Sequence, residues 1–188
     1  VGELQPSYFV FENVKGLTQR RNSEFLLEAV ADMNAIGYRL ITPWQVLNAC
    51  DYGVPQNRER LFLIGAKNKF PLPNYPSPLP TRPTCQEALE DLPDAEQFDV
   101  LNRVGEVSAK LPLPTSHYAA LLRCVSDAGW HYGYRRRWNP GLLTNSIRTN
   151  HSVRSRTRFA NTEPGHREPI SHFFRLSPNG VCNTLRAG

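Results

Sequence analysis

The sequence lacks several of the patterns that identify common classes of protein. It has no run of about 18 apolar residues, so it predicts no membrane-spanning helix. The first residues, VGEL, lack a basic segment followed by an apolar one, so no signal peptide is predicted. The sequence does not begin with Met, and with a mean hydropathy of −0.46 we expect a soluble portion of a longer polypeptide.

Metal-binding cysteine spacings are also missing. The chain has four cysteines, and none lies in a CxxC or a Cys/His spacing: Cys50, Cys85, Cys124 and Cys182. We therefore expect unpaired intracellular thiols and no metal site.

Lysine is absent from residues 131–188, although this segment holds ten arginines and only two acids, Glu163 and Glu168. Arginine forks suit phosphate and base edges, so the segment favours a nucleic-acid contact over the alternative of a solubilising basic face. Two groups stand out. Arg135, Arg136 and Arg137 lie between Trp130 and Trp138; these tryptophans suit either base stacking or ordinary core packing.

The second group of arginines alternates along the chain. Arg154, Arg156 and Arg158 are two residues apart, so on a β-strand their side chains would form one basic ridge facing DNA.

Residues 1–69 have the pattern of an α/β sheet. The aromatic run 8–11 predicts a strand that ends in a polar loop at Glu12. A helix follows, capped by Asn22 or Ser23 and ended by Gly37. Its apolar stripe comprises Leu26, Leu27, Val30, Met33 and Ile36. Residues 38–41, 44–49 and 61–64 predict three further strands, with antiparallel pairing at one edge of the sheet.

Two features of this sheet carry candidate chemistry. Glu12 follows a strand, where partial desolvation would suit an acid or base; the alternative is a carboxylate that caps a loop or forms a salt bridge. Arg58 and Arg60 would point the same way on an extended chain, with Glu59 opposite. The pair forms a fork for an oxyanion, phosphate or base edge, or else belongs to a salt-bridged strand edge.

A change of composition predicts the domain boundary. Residues 70–83 are Pro-rich and have the character of an extended connector. Short helices are expected at 85–92, capped by Thr84, and at 116–128. We predict a catalytic α/β domain at 1–69 and a second, irregular domain at 70–188.

Three sequence blocks, in order, resemble a known family. FENV at 11–14, GVPQNRER at 53–60 and NTLRAG at 183–188 are similar to blocks of the C5-cytosine DNA methyltransferases of bacterial restriction-modification systems. The resemblance implies an α/β fold: the C-terminal part of a Rossmann-like methyltransferase sheet plus a smaller, irregular target-recognition domain.

The resemblance also implies a chemistry. These enzymes flip a cytosine out of double-stranded DNA, attack C6 with a cysteine thiolate and transfer a methyl group from S-adenosylmethionine to C5. Glu12 matches the glutamate that holds and protonates N3, which requires a desolvated carboxyl group. Arg58 and Arg60 match arginines that contact the flipped nucleotide, and Asn13 and Gln56 match structural residues of the site. The DNA-binding residues would be Arg135, Arg136, Arg137, Arg154, Arg156, Arg158 and Thr184.

Some of the family's blocks are absent from these 188 residues. No cysteine follows a proline, and there is no Gly-rich cofactor loop. We therefore expect a complementing N-terminal segment or a second subunit to supply the nucleophile and most of the S-adenosylmethionine site. Two alternatives remain open at this stage: a non-catalytic DNA-binding module, and an RNA methyltransferase of the same family.

Overall fold

The chain divides into two units, Val1–Arg82 and Pro83–Gly188. The structure, a computed structural model, describes residues 1–19, 23–126 and 137–184. Within these residues, no helix has both the length and the apolar character needed to cross a membrane. The boundary after Arg82 replaces the predicted one after residue 69, because the Pro-rich segment packs on the first unit: the Tyr75 hydroxyl donates to the Phe62 carbonyl at 2.7 Å.

One long strand is the centre of the first unit. β5 (Glu59–Lys67) pairs antiparallel with β1 (Tyr8–Val14), β2 (Tyr38–Leu40) and β3 (Gln45–Asn48). The short β4 (Gln56–Asn57) precedes it. β2 and β3 contact different ends of β5, on the side away from β1. The predicted strand, helix and three further strands are present, and the short β4 is an additional strand before β5. Antiparallel pairing was predicted at one edge only, but β1, β2 and β3 all pair antiparallel with β5.

The core of the first unit lies between this sheet and α1 (Ser23–Ala35). Leu26 of α1 and Leu40, Leu61 and Leu63 of the sheet form its buried cluster, with Val30, Met33, Phe9, Leu17 and Trp44 packed around it. Leu61 and Leu63 are two residues apart, so they share the sheet face under the helix. Leu27 and Ile36 were predicted in the same stripe, but they are 57% and 40% exposed. Leu27 is rotated by about 100° from Leu26 around α1, and Ile36 lies after the end of the helix.

The second unit is built from short elements. These are α2 (Cys85–Leu89), β6 (Val107–Ser108), α3 (His117–Leu122), β7 (Leu142–Leu143), α4 (Val153–Asn161) and β8 (Cys182–Asn183). Thr84 caps α2, as predicted, in a reciprocal capping box with Glu87. The core of this unit is the cluster Leu101, Leu111 and Leu143, against which Trp138 packs. Trp138 therefore has a packing role, whereas Trp130 lies outside the described residues.

The alternating arginines lie on a helix, which corrects the predicted strand. Residues 153–161 form α4 because Ser152 caps it, accepting from the Ser155 N–H at 3.2 Å, and arginine is a good helix former. Successive side chains are rotated by about 100° around the helix axis, so Arg156 points about 200° away from Arg154 around α4. The single ridge of three arginines is therefore not formed.

Candidate active site

Glu12 and Arg60 meet on one face of the β1–β5 pair. Glu12 is opposite Phe62 and Val14 is opposite Arg60, so the two charged residues are diagonal neighbours on the same face. The Arg60 Nε lies 3.0 Å from the Glu12 Oε1. The convergence that the resemblance implies for this pair is present in the first unit.

Arg60 is held by a second contact as well. Its Nη1 donates to the carbonyl of Glu59 at 2.8 Å, and its side chain is only 18% exposed. A guanidinium held by its own strand and by the neighbouring carboxylate keeps one orientation. Its Nη2 has no hydrogen-bond partner among the described residues, so this nitrogen can meet a ligand.

The opposite face of the same strands carries a different ion pair. Lys15 Nζ donates to both carboxylate oxygens of Glu59, at 2.9 and 3.0 Å. The alternative of an Arg-Glu-Arg network does not form, because the side chains of Glu59 and Arg60 lie on opposite faces of the sheet. Glu59 pairs with Lys15, and Arg60 pairs with Glu12.

Two expectations for Glu12 and its neighbour need correction. β1 continues to Val14, so Glu12 lies within the strand and not in a loop beyond it, because residues 12–14 continue the ladder with β5. The Glu12 side chain is 44% exposed, so the burial implied by the resemblance is not provided by this chain. Asn13 faces the other way, opposite Leu61, and its Oδ1 accepts from the Val14 N–H at 2.8 Å.

Arg58 lies between β4 and β5, and its backbone is fixed by β3 and the turn after it. Its N–H donates to Asn48 Oδ1 at 2.9 Å, and its carbonyl accepts from the Ala49 N–H at 3.0 Å. The guanidinium of Arg58 has no ion pair or hydrogen bond within the described part of the chain. Gln56, in β4, is half-buried just before this point.

Asn48 is a residue of the site that the sequence did not reveal. Besides accepting from Arg58, it donates through Nδ2 to Asn57 Oδ1 at 2.6 Å. An asparagine at the end of a predicted strand has no local signal that distinguishes it, and only the pairing of β3 with β5 brings it beside Arg58.

Comparison with known proteins identifies the family of this chain. The family model for C-5 cytosine-specific DNA methylase matches residues 1–165. The chain belongs to this family. It is 50% identical over 188 residues to the Type II methyltransferase M.XorII of Xanthomonas oryzae. The aligned region covers all of this chain and 44% of that protein.

More distant relatives agree with the assignment. The Type II methyltransferase M.DdeI of Desulfomicrobium norvegicum is 32% identical over 138 residues, 69% of this chain and 32% of that protein. A crystal structure described as a DNA modification methyltransferase encoded within an E. coli prophage matches with a TM-score of 0.69 and 25% identity, covering 98% of this chain and 54% of that one. The chain thus spans about half or less of the length of these methylases, and its fold is a partial methyltransferase fold.

The structure tests only part of the DNA-binding set that was predicted for this methylase chain. Arg135 and Arg136 lie outside the described residues. Arg137 is exposed, and Thr184 is half-buried directly after β8. The structure does not place a nucleic acid against any of them, so their roles stay predictions.

The arginines of α4 have different surroundings. Arg154 is exposed and makes no ion pair with the described residues. Arg156 forms an ion pair with Glu96. Arg158 Nε lies 3.3 Å from Glu168 Oε1. Arg154 is thus the member of the predicted trio whose charge has no described acidic partner.

Glu168 anchors the loop beside α4. Its Oε2 accepts from the hydroxyl and the N–H of Ser171 and from the N–H of Ile170. These hydrogen bonds, the Ser171 hydroxyl first, and then the Arg158 charge, hold the pKa of Glu168 below its usual value. The residue is 2% exposed and acts as a structural carboxylate.

Proposed function

We propose that the protein to which this chain belongs is a DNA cytosine-5 methyltransferase, which transfers a methyl group from S-adenosylmethionine to C5 of a cytosine flipped out of the duplex. The observation that carries the proposal is the Glu12–Arg60 contact of 3.0 Å, in a chain of the C-5 cytosine-specific DNA methylase family. Base-modifying enzymes need a flipped base because the reacting atoms are inaccessible within the stack.

Glu12 is the residue that we assign to the cytosine ring. Its carboxyl group holds N3 and keeps a proton there while C6 is attacked, which offsets the charge that develops on the ring. Arg60 orients this carboxyl through Nε, and its Nη2 is available to the flipped nucleotide. The guanidinium of Arg58, which has no partner among the described residues, contacts the nucleotide or its phosphate, while Asn13 and Gln56 hold the backbone of the site.

The burial that Glu12 requires comes from elsewhere in the protein. A side chain that is 44% exposed in this chain has room for a covering segment and for the base itself. A further segment or a second subunit that carries the family's nucleophilic cysteine, which follows a proline, would supply both the nucleophile and this cover.

S-adenosylmethionine supplies the methyl group. Two acids of the first unit, Glu59 and Asp51, do not fit its ribose, since Glu59 is bound by Lys15 and Asp51 by Arg82. We assign the cofactor site mainly to residues outside this chain.

The second unit is assigned to double-stranded DNA and to target recognition. Its proposed contacts are Arg135, Arg136, Arg137, Arg154, Arg156, Arg158 and Thr184. Phosphate contacts of this kind make affinity salt-dependent, whereas contacts to base edges provide specificity.

A Glu12→Gln change in the full-length enzyme tests the proposal. Glutamine keeps the shape and can still accept from Arg60, but it cannot hold the proton on N3. We expect methyl transfer to DNA to fall by ~10²-fold or more, with the affinity for duplex DNA unchanged. Single-turnover transfer of labelled methyl groups and a DNA-binding titration measure the two quantities.

The matched control is Glu59→Gln, which breaks an exposed ion pair on the opposite face of the same strands. Exposed pairs contribute about 0–1 kcal/mol, so this change should leave both rate and affinity near wild type. If Glu12→Gln transfers methyl groups as fast as Glu59→Gln, Glu12 has no catalytic role. If the wild-type enzyme binds DNA without methylating it, the chain belongs to a non-catalytic DNA-binding module, and preferential binding of tRNA would indicate an RNA methyltransferase.

A further inference from the structure

The Pro-rich segment 70–82, here called the strap, is held to the first unit at several points. The Tyr52 hydroxyl donates to the Pro76 carbonyl at 3.3 Å, and the Leu79 N–H donates to the Asp51 carbonyl at 2.8 Å. Arg82 closes the strap through an ion pair with the Asp51 carboxylate. A free linker would make none of these contacts, so the strap has a structural role in the first unit.

Tyr75 connects the strap to the strands that carry the site. Its hydroxyl donates to the Phe62 carbonyl of β5 at 2.7 Å and accepts from the Gln45 N–H of β3 at 3.3 Å. Burial raises the pKa of this phenol, and the hydrogen bond from Gln45 opposes the shift. The hydroxyl thus stays protonated and bridges two strands, two residues beyond Arg60.

The part of the strap after Tyr75 contacts the 3₁₀ turn Ala49–Tyr52 and Gly53, which follows it. Gly53 has a φ of +81°, a conformation that glycine adopts without strain, and a Cβ there would lie 3.1 Å from the Leu79 Cδ1. Asp51 lies within the turn, and both its carbonyl and its carboxylate are bound by the strap. The strap therefore sets the position of the turn.

The turn is in direct contact with Arg58. The Ala49 N–H donates to the Arg58 carbonyl at 3.0 Å, and Asn48, immediately before the turn, accepts from the Arg58 N–H at 2.9 Å. A displacement of the turn would move the backbone of Arg58 while leaving the buried side of β5 in place. A series of contacts thus leads from Arg82 through Asp51 and Ala49 to Arg58, a proposed nucleotide contact.

We infer that Asp51 and Arg82 are positioning residues of the methyl-transfer reaction, whose ion pair holds the turn 49–53 and thereby aims the Arg58 guanidinium at the flipped nucleotide. The inference rests on the proposed function. The ion pair is accessible to solvent, because the Asp51 side chain is 26% exposed and the Arg82 side chain is 61% exposed. An ion pair this accessible contributes little to stability, so a loss of rate on breaking it would come from misplacement.

The test is Arg82→Gln in the full-length enzyme, assayed with duplex DNA and S-adenosylmethionine. We expect kcat to fall about tenfold or more while the KM for DNA changes less than about twofold, because orientation is lost and binding is not. Asp51→Asn should reproduce the loss, and the double variant should be no worse than either single one. Arg82→Lys, which keeps the charge, should recover most of the rate.

The matched control is Arg39→Gln. Arg39 also anchors the strap, donating to the Phe70 carbonyl at 2.8 Å, but at the end away from Arg58. A wild-type kcat for Arg39→Gln together with a reduced kcat for Arg82→Gln supports the inference. It would be overturned by an equal loss of kcat in Arg39→Gln and Arg82→Gln, or by an unchanged kcat in Arg82→Gln. Additive losses of kcat in the double variant of Asp51 and Arg82 would also overturn it. If Arg82→Gln does not fold, Asp51→Asn decides the same question.

The two proposals fail in different ways. A wild-type enzyme that methylates cytosine in DNA but tolerates Arg82→Gln removes only the positioning role. A wild-type enzyme without methyl transfer to DNA removes the proposed function itself, whatever the variants do.

Discussion

Gly65 is the position where the first unit should be most sensitive to a small change. It lies on the central strand β5 and is paired with Phe9 of the neighbouring strand β1. A Cβ on Gly65 would be 2.3 Å from the Phe9 Cε1 and 2.5 Å from its Cζ, whereas carbon atoms pack at about 3.5–4.0 Å. The ring must therefore move by more than about 1 Å to admit the methyl group of alanine.

The ring has little room to move. Phe9 contacts Tyr38 edge-on, with ring centroids 5.6 Å apart, and Tyr38 is 1% exposed. Phe9 also packs against the buried cluster of leucines. Overpacking of this kind typically costs about 1–3 kcal/mol, so we expect Gly65→Ala to lower the free energy of unfolding of the first unit by that amount.

Hydrogen exchange of the β5 amides measures this loss for the first unit by itself. Phe9→Leu in the Gly65→Ala background should recover part of it by making space. Gly16→Ala is the matched control, since its Cβ would meet nothing within 4 Å and should change stability little. Equal protection of β5 in the Gly65→Ala and Gly16→Ala proteins would refute the packing argument.

Two further predictions concern the second unit. Hydrogen bonds, mainly from Ser171, lower the pKa of Glu168 in the folded protein. The carboxylate therefore stabilises the fold at pH values above the unfolded pKa of about 4.5, and this stabilisation is lost as the pH falls through the lower folded pKa. Proteolysis of the 163–175 region should accelerate in acid; Glu168→Gln should weaken this dependence and Glu163→Gln, at an exposed site, should not. Burial, and then the nearby Cys182, raises the pKa of Cys85, so iodoacetamide should label Cys85 more slowly than the half-buried Cys124 at pH 8. Equal rates by mass spectrometry would contradict that prediction.

Much of the first unit was predictable from local patterns. The spacing of Leu26, Val30 and Met33 identified a helix with one buried stripe, and Gly37 marked its end with a φ of +88°. The meeting of Glu12 with Arg60 was also expected, from the resemblance. Each of these features depends on residues close in sequence or on the order of known blocks.

Other features could not be predicted, because distant residues decide them. Asn48 contacts Arg58 only because β3 pairs with the start of β5. The strap has the composition of a linker, yet Tyr75 and Arg82 bind it to the sheet and the turn. A Pro-rich composition limits the backbone conformations of a segment but does not say whether its polar groups find partners.

The sequence by itself determined the family, the α/β character and the identity of the two charged residues at the site, because motifs and periodicities are properties of neighbouring residues. For the arginines at 153–161, Ser152 and the helix propensity of arginine favour a helix, but their alternation is equally compatible with a strand. The tertiary structure decided for the helix, in which Phe159 packs on Phe173 at 5.7 Å between ring centroids. The same holds for the exposed state of Glu12, since burial depends on every segment that packs around a residue.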